Sequence, residues 1–264
     1  MVFKLKMAVI HKLEEMQSFY NIETNFSKIE FSHLNRDFTP EIREEIDGQL
    51  LKLNKDYGNK PLICMHPEMN SLSDDTLHLA WHTCSFGEYI ATKEHSSIRF
   101  WATGIAGITR FKENDQYQYI FGERHPGKNL FPGLETVPGG FLELSLMENF
   151  SNPCVECLLK EFEEEIGLPR EHVARTSYLH IAQIRQDKIS LRFYQDLCID
   201  LLVEIENITQ NQVLDAFSKN KKKEHLGLEI VPSDKFQDYV GSNINRFPPR
   251  TINTLITFLK KHEI

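Results

Sequence analysis

The fold of this chain is decided by the stretch Lys160-Glu161-Phe162-Glu163-Glu164-Glu165-Ile166-Gly167-Leu168. On a helix with roughly 3.6 residues per turn, Glu161, Glu164 and Glu165 share one face, whereas Phe162 and Ile166 point toward another. Like charges at these spacings destabilise a helix by roughly 0.2–0.5 kcal/mol per pair, and a hard divalent cation with oxygen ligands would reverse that cost. The stretch therefore predicts a metal site, although a solvated acidic face would explain the charges taken alone.

Length and composition describe a globular protein with a sizeable core. The chain has 264 residues, of which 41% are hydrophobic, and no apolar run is long enough for a membrane span. Residues 1–10 lack the apolar segment and cleavage site of a secretory signal. The formal charge of −8 argues against a nucleic-acid backbone as main partner. We therefore expect a cytoplasmic protein that has neither a membrane nor a nucleic acid as partner, with its oligomeric state open.

The cysteines favour a structural role. Their number, five, is odd, which fits reduced thiols better than a disulfide framework. Cys154 and Cys157 have the spacing of a redox or zinc motif, but no second Cys or His pair at ligand spacing accompanies them. Both fall in the first turns of the acidic helix, where we expect core packing.

The sequence before residue 96 predicts a small α+β unit. Thr39, Pro40 and Glu41 supply a cap, a first-turn proline and a first-turn acid, which predict a helix from residue 40 to about residue 57. Strands are predicted at residues 3–10, 28–31, 61–65 and 76–83.

The remaining sequence, residues 96–264, predicts strands on both sides of one central helix, which indicates an α/β sandwich. The predicted strands cover residues 102–109, 118–124, 135–137, 178–185, 191–205 and 228–231, with a turn at residues 112–116. Two further helices are predicted at residues 210–219 and 249–262.

The acidic stretch resembles the box of the Nudix hydrolase family, which reads Gly, five residues, Glu, seven residues, Arg-Glu, apolar, any, Glu-Glu, any, Gly, apolar. The matching positions are Glu161, Phe162, Glu164, Glu165, Gly167 and Leu168. The preceding Pro138-Gly139-Gly140-Phe141-Leu142-Glu143 looks like that family's strand-to-loop entry. The resemblance implies an α/β (α+β) fold, a Nudix-type α/β/α sandwich with a mixed sheet, joined to the small N-terminal α+β unit.

The first half of the box departs from the family pattern. Counted from Gly140, the first glutamate position falls on Leu146, and Lys160 stands where the family has arginine. An insertion around residues 144–150 explains the longer spacing. Family resemblance assigns the arginine to orienting a metal-binding glutamate, for which a lysine offers one point charge instead of a planar fork. Lys160 either keeps this role or is a surface lysine that pairs with Glu164 or Glu156.

The resemblance also implies a ligand set. Glu161, Glu164 and Glu165, with a backbone carbonyl of Gly139 or Gly140, would bind Mg²⁺, for which Mn²⁺ is a plausible substitute. A late acid often completes such sites, and Glu224 fits that place, with Glu229 as the second choice and an ordinary solvated role open for both.

Three arginines are candidates for binding phosphate, because each borders a strand that leads toward the site in a Nudix-like layout: Arg124, Arg185 and Arg192.

The flanks of the box resemble the UDP-glucose/UDP-galactose diphosphatase branch of the family at residues 86–92, 121–124 and 131–140. This implies an enzyme that converts a UDP-sugar to UMP and a sugar 1-phosphate. Two alternatives stay open. One is hydrolysis of ADP-ribose, a dinucleoside polyphosphate, a nucleoside triphosphate or thiamine diphosphate, and the other is a weakly catalytic or non-catalytic binding module.

Overall fold

The computed structural model describes residues 17–23, 26–34, 38–52, 61–65, 71–92, 100, 102–124, 133–136, 138–187, 193–222 and 225–262. In the N-terminal part the elements are β1 (Gln17–Glu23), β2 (Lys28–His33), α1 (Pro40–Lys52), β3 (Pro61–Met65), β4 (Ser71–Ser73), β5 (Thr76–Ser85) and α2 (Phe86–Thr92). In the remaining part they are β6 (Ala102–Glu113), β7 (Gln116–Arg124), β8 (Gly133–Thr136), β9 (Gly139–Phe141), α3 (Leu144–Asn149), α4 (Pro153–Glu165), β10 (Val173–Asp187), β11 (Phe193–Ile205), α5 (Gln210–Lys219), β12 (His225–Pro232), α6 (Phe236–Ser242) and α7 (Pro249–Lys261).

Most of the predicted elements are confirmed. Helix α5 and strand β3 have the predicted bounds, and the insertion predicted around residues 144–150 folds as the short helix α3. The helix predicted from residue 40 is confirmed through Lys52, while its continuation and the strand predicted at residues 3–10 lie outside the described residues. Six of these elements had not been predicted as strands or helices, namely β1, β4, β9, α2, α3 and α6.

The described strands form one mixed sheet with β6 near its centre. Strand β11 runs parallel to β6, from Asp196 opposite Ala102 to Ile205 opposite Phe111. Antiparallel to β6 lie β9, opposite residues 104–106, and β7, opposite residues 110–113. The main path of neighbouring strands is β1-β10-β11-β6-β3-β5-β2, with β12 and β8 attached through β7. The predicted mixed α/β fold is confirmed.

The sheet continues across the domain boundary predicted near residue 95. Strand β3 reaches β6 at Cys64 and Ala102, and β1 pairs with β10. The division into residues 1–95 and 96–264 stays a prediction. No helix in the described part of the chain is long and apolar enough to cross a membrane.

Helices cover both faces of the central strands. Apolar residues of α4, including Leu158 and Phe162, join a core with Ile105 and Ile199 of the sheet. A second core lies under α7, and a third joins α1 to β3 and β5 through buried Ile46. Because side chains alternate along a strand, β11 contributes Ile199 to the α4 side and Leu202 to the α7 side.

A buried polar group also joins the sheet to α7. His180 and Asp200 are both 0% exposed, and His180 Nδ1 lies 3.4 Å from Asp200 Oδ2. From α7, Thr254 donates a hydrogen bond to Asp200 Oδ2 at 2.9 Å, and Asn253 Nδ2 lies 2.9 Å from His180 Nε2. Burial lowers the pKa of His180 to about 3, so the imidazole is neutral at neutral pH.

Candidate metal site

Two adjacent glycines meet two carboxylates of the acidic helix. Gly139 and Gly140 lie in β9, which pairs with β6. The Gly139 amide donates a hydrogen bond to Glu165 Oε2 at 2.9 Å. At Gly140, a Cβ atom would lie 2.4 Å from Glu161 Oε1, so only glycine allows this approach. Both carboxylates therefore lie against one dipeptide.

Helix α4 holds these acids through local sequence signals. Asn152 caps the helix by accepting a hydrogen bond from the Val155 amide, and Pro153 follows in the first turn. Buried Phe162 fixes the rotation of the helix about its axis. The chain then leaves the helix at Gly167, whose φ is +84°, a left-handed conformation that favours glycine.

Glu165 is almost completely buried, with 1% of its area exposed. His225, the first residue of β12, places Nε2 3.4 Å from Glu165 Oε1 and is also buried. Among the described residues, no hydrogen bond reaches Glu165 Oε1. Sequence reasoning missed His225, and the available signal was its position directly after the candidate acid Glu224.

The other two acids of the stretch face protein cations. Glu164 Oε1 lies 3.3 Å from Lys222 Nζ, in the basic run at residues 219–223. Glu163 forms an ion pair with Arg170 at 3.0 Å, away from the glycines. Hydrogen bonds from Arg170 lower the pKa of Glu163. Glu164 is less buried than Glu165 and is already paired.

Lys160 has a partner that neither sequence interpretation named. Its Nζ lies 2.9 Å from Glu143 Oε1, so the pairing expected with Glu164 or Glu156 is replaced by a contact with the end of the β9 segment. The hydrogen bond from Lys160 to Glu143 raises the pKa of Lys160, and the charges of Glu161 and Glu164 act in the same direction. Lys160 pairs outside its own helix because the tertiary fold brings Glu143 beside α4.

The donors at the glycines fit a hard divalent cation. Carboxylate and carbonyl oxygens are the ligands that Mg²⁺ prefers, and Mg²⁺ is often bound by only one or two protein carboxylates. Glu161 and Glu165 supply these carboxylates, and Glu165 Oε1, which no hydrogen bond reaches from the described part of the chain, is a buried acceptor. Within the residues that the structure describes, no three His, Cys, Asp or Glu side chains form a ready cluster of cation ligands.

The structure describes only some of the residues predicted to bind phosphate or to supply the late acid. Arg124 ends β7 opposite His225, which brings its backbone to the Glu165 side of the site. Arg185 lies in β10, but its side chain is outside the described set, and Arg192 and Glu224 lie outside it altogether. Glu229, the second choice for the late acid, instead accepts a hydrogen bond from Tyr239 at 2.8 Å.

The cysteines are confirmed as free and buried. Cys154 and Cys157 lie in α4 and point into the core that this helix shares with the sheet. Burial raises the pKa of Cys154 to about 12, so this thiol stays protonated at neutral pH and is a poor metal or redox ligand.

No family model and no curated protein match the sequence. Three of the solved structures that resemble the chain carry the word Nudix in their descriptions, and another is described as an Ap4A hydrolase. The NUDIX domain of Shewanella oneidensis NrtR, complexed with ADP ribose, is 9% identical at a TM-score of 0.40, covering 67% of this chain and 97% of that chain. A C. elegans Ap4A hydrolase is 9% identical at a TM-score of 0.36, with 61% and 98% covered.

A third structure corrects the expectation about partners. Shewanella oneidensis NrtR complexed with a 27mer DNA is 8% identical at a TM-score of 0.39, with 60% of this chain and 59% of that chain covered. The flat exclusion of nucleic acid, which came from net charge, is therefore wrong. Net charge describes the whole surface, whereas DNA binding needs only a local basic patch or a separate region.

Proposed function

We propose that this chain catalyses the metal-dependent hydrolysis of a nucleoside diphosphate linked to another moiety. The observation that carries the proposal is the placement of Glu161 and Glu165 against Gly139 and Gly140. This arrangement joins oxygen donors from two segments that are distant in sequence, and the proposed chemistry requires such a cation site.

Hydrolysis of a diphosphate proceeds by attack of water in line with the leaving oxygen, and positioning and charge neutralisation supply most of the catalysis. A bound Mg²⁺ would supply positive charge to the phosphate oxygens. Glu161 and Glu165 would hold it, with Glu164 joining them once released from Lys222. The buried imidazole of His225 would keep Glu165 in its orientation.

We infer roles for Glu224 and Arg124 from their positions next to and opposite His225. Glu224 would orient the attacking water, which is supported by the contact of its neighbour His225 with Glu165. Arg124 would bind a substrate phosphate, since its backbone lies opposite His225. Arg185 and Arg192 stay candidates for the same task.

For the substrate we propose UDP-glucose or UDP-galactose, which would give UMP and a sugar 1-phosphate. This finer assignment rests on the sequence resemblance at residues 86–92, 121–124 and 131–140. The N-terminal unit, residues 1–95, would cover the substrate and add selectivity by excluding water.

The test is a product-release assay in Mg²⁺ across UDP-sugars, ADP-ribose, dinucleoside polyphosphates, nucleoside triphosphates and thiamine diphosphate. We expect UMP and sugar 1-phosphate from the UDP-sugars, and no product in excess chelator. Turnover of another nucleotide with both UDP-sugars inert would refute the substrate and keep the reaction class. Full activity in chelator would refute the metal mechanism.

One observation favours a second candidate, a nucleotide-binding module without turnover. Glu164 is paired with Lys222 and Lys160 with Glu143, so two charges of the proposed site are already compensated within the protein. Calorimetric titration with UDP-glucose, with and without Mg²⁺, separates the candidates. A module would bind the nucleotide equally in both conditions and release no UMP.

A further inference from the structure

The Lys160 and Glu143 pair lies beside the proposed metal ligands and is partly shielded from water. Its two charged atoms are 2.9 Å apart, and the side chains are 35% and 16% exposed. Lys160 directly precedes Glu161 and stands one helical turn before Glu164. Besides Glu143, the charges of Glu161 and Glu164, two of the proposed ligands, act on this ammonium.

The fold holds Glu143 in place from two sides. Its backbone forms a bridge with Leu62 of β3. Its carbonyl also accepts hydrogen bonds from the Leu146 and Met147 amides, which start α3. Leu146, where the family spacing expects an acid, is instead a buried core residue. At the position where the family has an acid, the inserted helix α3 therefore has a packed leucine. Glu143 supplies the carboxylate that contacts Lys160.

We propose that Glu143 is a positioning residue that holds the Lys160 ammonium away from Glu161 and Glu164, and so keeps these carboxylates available to a divalent cation. The inference rests on the proposed metal site. Without Glu143, the carboxylates whose charges still act on Lys160 are those of Glu161 and Glu164, two of the proposed ligands. An ammonium and a divalent cation compete for the same oxygens, and residues that orient metal ligands typically change metal affinity about 10–100-fold.

The test is a double-mutant cycle on Mn²⁺ affinity, measured without nucleotide from the electron paramagnetic resonance signal of the free ion. The four proteins are wild type, Glu143→Gln, Lys160→Gln and the double variant. Glu148→Gln removes the same charge from an exposed position of α3 and serves as the matched control. Thermal unfolding verifies that each variant is folded.

With Lys160 present, we expect Glu143→Gln to weaken Mn²⁺ binding by at least about tenfold. In the Lys160→Gln background the same change should alter affinity by less than about threefold, because no ammonium remains to compete. Equal losses in both backgrounds, or no loss in either, would overturn the role of Glu143 while leaving the metal site standing. A wild-type protein that binds no Mn²⁺ would overturn the proposed function as well.

Discussion

Replacing Gly140 with alanine tests the closest contact of the proposed site. The added Cβ would lie 2.4 Å from Glu161 Oε1, 2.5 Å from Cδ and 2.8 Å from Cγ, whereas ordinary contact begins at 3.4 Å. The Glu161 carboxylate must therefore retreat by about 1 Å, and a misplacement of that size can cost about a hundredfold in rate. Because a flexible side chain can move aside, we expect the free energy of unfolding to fall by only about 1 kcal/mol.

The assay for Gly140→Ala combines Mn²⁺ affinity with kcat on the best substrate, and chemical denaturation reports stability. Gly48→Ala is the matched control, because a Cβ there meets nothing within 4 Å. In helix α1 the alanine should stabilise the protein by roughly 0.5–1 kcal/mol without changing Mn²⁺ binding. Wild-type affinity and turnover in a folded Gly140→Ala protein would refute the claim that Gly140 makes room for a functional carboxylate.

Three further predictions concern the proposed metal ligands, the buried histidine and the core under α4. Glu164→Gln and Glu165→Gln should each lower kcat by at least about a hundredfold in folded protein, and full activity in both would exclude them as ligands. His180 is neutral in the folded state, because burial lowers the pKa of its imidazole from the ordinary 6.5 to about 3. The unfolded chain therefore binds the proton more readily, and stability should fall by about 2 kcal/mol between pH 7.5 and pH 5. A His180→Gln protein should lose that part of the pH dependence, and an unchanged profile would contradict the assignment. Phe162→Ala should cost about 3–5 kcal/mol of unfolding free energy because the ring is 0% exposed, whereas Phe150→Ala, 44% exposed, should cost far less; equal costs would contradict the packing described for α4.

The elements that the sequence predicts correctly are those specified by residues close together in the chain. Helix α5 has its predicted bounds because Thr209 and Gln212 form a capping box within a few residues of chain. The acidic face of α4 follows from helical periodicity alone. The turn predicted at residues 112–116 needs only Asn114 and Asp115, both with positive φ, so β6 and β7 each extend further than predicted.

The site was predictable only in part, because its details depend on contacts between distant segments. The sequence indicates that Glu161 and Glu165 are candidates, yet neither Glu143 nor His225 carries a local sign of its tertiary partner. Pairing in the sheet places residue 225 beside residue 124, and no short motif encodes that pairing. The short helix α6 likewise has no side-chain cap to announce it.

The buried polar group beneath α7 determines how that helix can be seated. Leucine and isoleucine contacts tolerate sliding along an apolar surface, whereas Asp200 needs Thr254, and His180 needs Asn253, at hydrogen-bonding distance. A shift of α7 by one turn would leave a carboxylate and an imidazole without these partners in a dry interior, which is expensive. These hydrogen bonds therefore fix the position of α7 along its axis, whereas the apolar contacts alone would accept several positions.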